Sequence, residues 1–252
     1  MRTIRLLATA SILACSPVRT ALSPSTATPC TTPTTACEQW ITFGSGPARS
    51  MTYSTFPLDS RNPAVTRALI MVHGANRNAD HYFETATAAG FLAGALENTI
   101  IVAPRFTAGR DTAIANEVMW PEGRNSWRAG GMSPSSPTLS SFDFIDDIVR
   151  KLADKKIFPN LAKIVIAGHS AGGQLATRYE MANKVHGTPG VSISYVVANP
   201  SSYAWPVVMR PLPTGDADPA TADKESLGPN GEKIHTTFTY GPFRGRPVCA
   251  FR

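Results

Sequence analysis

The sequence has little that points to a metal centre or to nucleic-acid binding. None of its four cysteines, at positions 15, 30, 37 and 249, is spaced like a zinc ligand. The net charge of +6 comes from scattered arginine and lysine, without a basic stripe or interleaved aromatic residues. A solvated basic surface accounts for that charge better than a nucleic-acid site does. We therefore expect no metal, no other cofactor and no nucleic-acid partner.

The chain also lacks an apolar run long enough for a transmembrane helix, which takes about 20 residues. A basic head, Met1–Arg5, precedes the short apolar run Leu6–Cys15, and that order is typical of an export signal. The end of the run, Ile12–Cys15, also resembles a weak bacterial lipobox with an unusual leucine at its second position. Lipidation of Cys15 is the one route by which we expect contact with a membrane.

Small and polar residues dominate the next segment, Ser16–Ala36, which is rich in Ser, Thr, Pro and Ala. Such a composition buries too little apolar surface to fold, so the sequence predicts a disordered spacer. We therefore expect a signal peptide at residues 1–15, the spacer at 16–36 and one folded domain at 37–252. Disulfides form in exported proteins, and two pairings of Cys37 are open: with Cys30 in the spacer, or with Cys249 at the far end of the domain.

The stretch that organises the folded domain is Lys163–Gly173. Ile164–Ala167 is a continuous apolar run rich in β-branched residues, as in a strand buried on both faces. The five residues from Gly168 to Gly172 then match the pattern G-x-S-x-G, and a helix is predicted from Ala171 to about Val185. In a strand, turn and helix of this kind the serine hydroxyl is exposed at the end of a parallel sheet. Ser170 is therefore a candidate nucleophile. The alternative is that it only caps the helix and has no catalytic role.

A second motif, His73-Gly74-Ala75, stands at the end of another predicted strand, Ala68–Val72. Serine hydrolases with such a strand end place part of the oxyanion hole there. The glycine lets the chain turn close to the substrate. The N–H groups of Ala75 and Ala171 are the predicted donors to the oxygen that becomes negative in the tetrahedral intermediate.

The rest of the pattern alternates strands with helices. The predicted elements are a hairpin of Glu38–Phe43 and Met51–Phe56, the helices Asp80–Leu96 and Ser141–Ala153, and the strands Thr99–Ala103 and Val191–Ala198. Alternation of this kind predicts a parallel sheet with right-handed crossovers. On the second helix, Asp146 and Arg150 are expected to form an exposed i,i+4 pair. The irregular segment 105–137 carries Trp120 and Trp127, for which a substrate-facing wall and plain packing are both open.

Together these motifs resemble the α/β-hydrolase superfamily, and in particular a group of exported, mostly uncharacterised serine hydrolases. The resemblance covers Trp40–Tyr203 and rests on the stretches Val72–Ala75, Ala103–Phe106, Gly168–Gly173 and Ala198–Tyr203. It implies an α/β fold with a mostly parallel sheet and helices on both faces. It also implies a serine esterase mechanism, with Ser170 as nucleophile and the amides of Ala75 and Ala171 as oxyanion donors. It does not supply a substrate, for which we expect a small-molecule ester.

The sequence departs from this pattern after the serine. In the family an acid and then a histidine follow later strands, but no further apolar strand is visible after Tyr203, so the fold is expected to be C-terminally incomplete. His186 lies about 22 Å from Ser170 at helical rise, which excludes it as the base. His73 is expected to be a structural residue beside the oxyanion donors. His235 is then the remaining candidate base. The acids available after the serine include Asp216, Asp218 and Asp223.

Two functions are therefore open. One is an exported carboxylic ester hydrolase that works through an acyl-serine intermediate, impaired if its triad acid and base are missing. The other is a non-catalytic protein of the same fold, acting at most as a binding module.

Overall fold

The structure, a computed structural model, describes residues 27–123, 125–188, 190–200, 202, 209–213 and 238–242. Six strands form the main sheet: β1 (Glu38–Thr42), β2 (Arg49–Ser54), β3 (Arg67–Val72), β4 (Thr99–Pro104), β5 (Lys163–His169) and β6 (Ser192–Ala198). Three α-helices accompany them: α1 (Ala79–Leu92), α2 (Ser141–Ala153) and α3 (Ala171–Ala182). Among the helices of these residues, none combines the length and the apolar character needed to span a bilayer.

The strands lie in the order β1-β2-β4-β3-β5-β6. The leading hairpin pairs β1 with β2 and then β2 with β4 in antiparallel fashion, whereas β3, β4, β5 and β6 are joined by parallel pairing. A helix connects each pair of consecutive parallel strands, as a parallel connection requires. The predicted hairpin and the mostly parallel sheet are confirmed.

Each central strand presents alternate residues to two different cores, because side chains in a strand point to opposite faces. In β3, Ile70 and Val72 pack into the larger core with α2 and α3, whereas Leu69 and Met71 pack against the smaller core with Phe83 of α1. Helices therefore cover both faces of the sheet, as predicted. This arrangement brings the carboxyl ends of β3 and β5 to one edge.

Two predicted helices end earlier than expected. Helix α1 stops at Leu92 because Gly94 turns the chain with a φ of 59°. Helix α3 stops at Ala182 because the side-chain amide of Asn183 donates to the carbonyls of Tyr179 and Glu180, at 2.9 and 3.1 Å. The sequence contains both stop signals, but the apolar pattern continues past them.

Both tryptophans of the segment 105–137 are buried, with 1% of each residue exposed. The ring of Trp127 stacks on Phe106, with centroids 4.9 Å apart, and the ring of Trp120 stacks on Phe144 at 5.8 Å. The interpretation of these residues as a substrate-facing wall is wrong, because their large apolar rings fill the core between this segment and α2. Plain packing is what the structure shows.

The chain before β1 is fastened to the domain by a disulfide between Cys30 and Cys37. Cys37 is fully buried in the smaller core, and the N–H of Cys30 donates to the carbonyl of Thr55 at 2.7 Å. This pairing excludes the alternative in which Cys37 joins Cys249. Contacts with the sheet thus begin upstream of Cys37.

Two further strands follow Tyr203, and they form a separate sheet that does not extend the main one. They are β7 (Met209–Pro213) and β8 (Phe238–Pro242), which pair antiparallel with each other. Both contain proline, which cannot donate to a sheet and is tolerated where a strand has a free edge. A two-stranded ribbon offers such an edge on each strand, so the absence of a continuous apolar run did not exclude it.

Candidate active site

Ser170 occupies a single-residue turn between β5 and α3. Its backbone has φ 56° and ψ −115°, a conformation that costs a residue with a side chain about 1–3 kcal/mol. The surroundings hold the turn in place, since the N–H of Ser170 donates to the carbonyl of Ala198 and the N–H of Gln174 donates to the carbonyl of Ser170, each at 3.0 Å. The side chain is only half-buried. Strand, strained turn and helix thus follow each other as the motif predicts.

The two glycines of the motif allow the turn to pack. A methyl group on Gly168 would overlap the carbonyl of Gly172, and a methyl group on Gly172 would overlap the carbonyl oxygen of Val72. Real Cβ atoms do not come so close to backbone, so both positions require glycine. Their absence of side chains lets α3 begin directly against the end of β3.

The chain leaves β3 in a tight turn, residues 74–77, closed by the N–H of Arg77 donating to the carbonyl of Gly74 at 3.1 Å. A methyl group on Gly74 would lie 3.9 Å from the Cβ of Ser170. The structure therefore places the 74–77 turn immediately beside the candidate nucleophile, as predicted from sequence.

The N–H groups of Ala75 and Ala171 have no hydrogen-bond acceptor within the described part of the chain. Ala171 is the first residue of α3, where N–H groups lack intrahelical partners and the helix dipole is positive. Ala75 is exposed on the 74–77 turn. Both amides therefore keep an unused donor, one at the start of α3 next to Ser170 and one on the turn whose Gly74 lies beside it.

Both ring nitrogens of His73 are hydrogen-bonded within the protein. Its Nδ1 donates to the carbonyl of Gly74 at 2.8 Å, and its Nε2 accepts from the N–H of Phe106 at 3.0 Å. Complete burial lowers the pKa of His73 to about 4. A neutral imidazole with both nitrogens in use cannot act as a general base. We predicted a structural residue, and the contacts are those of one.

Sequence reasoning missed Tyr82 as part of this site. Its hydroxyl lies 3.1 Å from Nδ1 of His169 and would be 2.9 Å from a methyl group on Gly74. Tyr82 stands in the first turn of α1, directly after the 74–77 turn. That position is the only signal in the sequence that could have found it.

Below the serine, α3 is tied to α2 by a buried carboxylate. Tyr179 donates its hydroxyl proton to Oδ1 of Asp146 at 2.8 Å, and Arg150 lies 3.6 Å from Oδ2. Burial raises the pKa of Asp146. The predicted i,i+4 pair is therefore present, but the prediction that it is exposed is wrong, because Asp146 points into the helix interface where Tyr179 meets it.

The proposed triad partners His235, Asp216, Asp218 and Asp223 lie outside the described residues, and His235 as base stays a prediction. Among the described residues, no histidine or carboxylate is hydrogen-bonded to the Ser170 hydroxyl, and His186 is exposed beyond the end of α3. In the same part of the chain, no cluster of three or more His, Cys, Asp or Glu side chains is placed to hold a metal ion.

The sequence profile of the alpha/beta hydrolase family matches residues 69–249. No curated protein matches the chain. Among solved structures, poly(aspartic acid) hydrolase-1 from Sphingomonas sp. KT-1 is 24% identical over 68% of this chain, with a TM-score of 0.45. LpqC, a poly(3-hydroxybutyrate) depolymerase from Bordetella parapertussis, is 19% identical over 75% with a TM-score of 0.44. The siderophore hydrolase EstA from Aspergillus nidulans is 18% identical over 76% with a TM-score of 0.34. The matches cover 58%, 54% and 63% of those three chains, respectively.

Proposed function

Because this chain belongs to the α/β-hydrolase family, we propose that it is an exported serine hydrolase that cleaves carboxylic esters through an acyl-Ser170 intermediate. The observation that carries the proposal is the placement of Ser170, held in a strained turn between β5 and α3 and facing Gly74. A serine in that position, with free backbone N–H groups beside it, suits acyl transfer.

In the proposed reaction the Ser170 oxygen attacks the ester carbonyl carbon while its proton passes to a base. The carbonyl oxygen becomes negative and accepts hydrogen bonds from the N–H groups of Ala75 and Ala171. The bond between carbon and the alcohol oxygen then breaks, the alcohol leaves with a proton, and water releases the acid from Ser170. Losing one such N–H donor typically costs about 3 kcal/mol of transition-state stabilisation.

An activated ester is the substrate on which this site is best tested. A p-nitrophenolate leaving group needs no proton from a general acid, so its departure depends chiefly on attack by Ser170 and on stabilisation of the oxyanion. We expect hydrolysis of p-nitrophenyl acetate by the wild type and loss of that activity in Ser170→Ala. Ser45→Ala is the control, because Ser45 is exposed in a turn that is distant from Ser170 in the sequence. This variant should keep the wild-type rate. Equal rates above background in wild type and Ser170→Ala would refute the proposal.

Export is the second part of the proposal. It is supported by the basic head, apolar run and Ser/Thr/Pro-rich segment before Cys37, of which residues 1–26 lie outside the described part of the chain. We expect the mature protein to begin at or beyond Cys15 and to be found outside the cytoplasm, with a lipid mass increment if Cys15 is the new N-terminus. Cell fractionation with mass analysis of the N-terminal peptide measures both. A cytoplasmic chain that retains Met1 contradicts export.

A further inference from the structure

Arg77 closes the 74–77 turn in a conformation that is unusual for its type. Its φ is 56°, in the left-handed region that residues other than glycine, asparagine and aspartate seldom adopt. The hydrogen bond from its N–H to the carbonyl of Gly74 is a single contact. A turn that holds an arginine in this region needs further support from the surrounding structure.

The guanidinium group supplies that support by joining three partners. Its Nε and Nη2 donate to the two carboxylate oxygens of Asp111, at 2.6 and 3.1 Å, in the paired geometry that a guanidinium fork favours. Its Nη1 donates to Oε1 of Glu122 at 2.7 Å and to the carbonyl of Ala75 at 3.1 Å. One side chain therefore links a carbonyl of the turn to two acids of the segment 105–123.

Asp111 is also held in place by contacts that do not involve Arg77. Its Oδ2 accepts from the N–H of Ala108 at 3.0 Å, and its own N–H donates to the carbonyl of Ala108 at 3.1 Å. Four-fifths of its side chain is buried, whereas 44% of the Glu122 side chain is exposed. The hydrogen bonds from Arg77 hold the pKa of Asp111 below its usual value. Asp111 is thus the firm anchor, and an exposed acid such as Glu122 contributes less.

The two carbonyls on either side of the Ala75 Cα are each held by a side chain. His73 holds the carbonyl of Gly74, and Arg77 holds the carbonyl of Ala75. The peptide unit is planar, with its C=O and N–H on opposite sides, so the first contact directs the N–H of Ala75 away from His73. The second contact restricts the peptide that follows, and with it the remaining backbone freedom of Ala75.

We propose that Arg77, anchored by its paired hydrogen bonds with Asp111, is a positioning residue that aims the N–H of Ala75 at the oxyanion during ester cleavage. The inference rests on the proposed function for its catalytic consequence, but its structural content does not. Arg77 does not touch the substrate. It acts through its hydrogen bond to the Ala75 carbonyl. The segment 105–123 supports the 74–77 turn by supplying the two acids that hold the Arg77 guanidinium.

The test compares Arg77→Gln, Arg77→Lys and Asp111→Asn with Arg110→Gln. Arg110 is exposed and adjacent to Asp111, so its variant removes the same charge without touching the turn. We expect p-nitrophenyl acetate kcat to fall about 10- to 100-fold in Arg77→Gln, a large part of the effect of losing one oxyanion donor. KM should stay within about twofold, because the N–H acts on the transition state. Arg77→Lys should recover activity only in part, since an ammonium group cannot pair with both carboxylate oxygens.

Hydrogen exchange of the peptides covering 73–78 gives a readout that does not need activity. We expect faster exchange in Arg77→Gln and Asp111→Asn than in the wild type and Arg110→Gln, at unchanged melting temperature. If Arg77→Gln does not fold, Asp111→Asn carries the same comparison. Exchange that is unchanged in both variants overturns the inference, as does an equal fall of kcat in Arg110→Gln. Absence of any Ser170-dependent hydrolysis in the wild type would instead refute the proposed function and leave the exchange comparison to decide the role of Arg77.

Discussion

Gly172 at the start of α3 lies directly against the carbonyl oxygen of Val72 at the end of β3, with no room for a methyl group between them. The contact joins the two halves of the candidate site, since the candidate nucleophile precedes Gly172 by two residues and the 74–77 turn follows Val72 by two. The separation of these two backbones therefore sets the distance from Ser170 to Ala75, the proposed oxyanion donor on the 74–77 turn.

Gly172→Ala should break this contact. The added methyl group must push α3 away from β3, which costs stability and moves Ser170 relative to the 74–77 turn. We expect esterase activity to fall at least about 100-fold, because small displacements of catalytic groups cost that much, together with a lower melting temperature. Gly187→Ala is the matched control, because nothing lies within 4 Å of its added methyl group. A Gly172→Ala enzyme with wild-type rate and stability would contradict the packing described.

His73 should make the stability of the protein depend on pH. Its pKa is lowered to about 4 in the folded protein and is about 6.5 in the unfolded chain. Its contribution to stability is therefore complete above pH 6.5 and is lost as the pH falls towards 4, because only the unfolded chain takes up the proton. This single group should remove about 2 kcal/mol of unfolding free energy between pH 7 and pH 5.

Denaturant unfolding at several pH values measures this loss. His73→Gln has no group that titrates in the range and should show a smaller loss by about that amount, whereas the exposed His81→Gln should behave as the wild type. In addition, the His73 ring proton signals should not shift between pH 5 and pH 8 in an NMR titration. A midpoint near 6.5 for His73 would mean that its ring is accessible to water and free to pick up a proton.

The parts of the site that could be predicted from sequence are those whose geometry is local. Ser170 and the glycines around it specify one sharp turn, and His73 and Gly74 stand at a strand end that the apolar run already marks. Trp120 and Trp127 could not be placed, because their burial depends on Phe106 and Phe144, which reach them only through the fold.

The exposure of Asp146 shows the same limit. The i,i+4 pattern of α2 correctly identifies Arg150 as a neighbour but contains no information about the helix that packs against it. Tyr179 belongs to α3, 33 residues later in the chain, and packs over the Asp146 carboxylate, which the pattern of α2 alone would leave exposed to solvent. Tyr82 could not be placed for a similar reason, since its position in a helix does not show that its hydroxyl reaches the turn beside Ser170.

The pH dependence that Asp146 gives to the stability of the protein should be opposite in sign to that of His73. The folded-state pKa of Asp146 is raised by burial, so its contribution is greatest when the carboxyl is protonated and is lost as the pH rises from about 4 through the raised value. Asparagine can still accept the hydrogen bond from Tyr179 but cannot ionise. The unfolding free energy of Asp146→Asn minus that of the wild type should therefore increase from pH 4 to pH 7. Asp147→Asn, which also removes a partner of Arg150 but at a more exposed position, should show no such increase.

The last prediction concerns the base. An efficient serine nucleophile needs a base held within about 3 Å, and that base needs a carboxylate to orient it and stabilise its charge. His235 is the candidate from sequence, but it follows no apolar strand that would fix its position. We therefore expect fluorophosphonate to label Ser170 slowly, at a rate supported by the oxyanion donors and binding alone, which still give about 10³- to 10⁴-fold over water. His235→Ala should then change the rate by less than about twofold, as should the control His186→Ala at the exposed position beyond α3. Rapid labelling that collapses in His235→Ala alone would show instead that His235 is a working base.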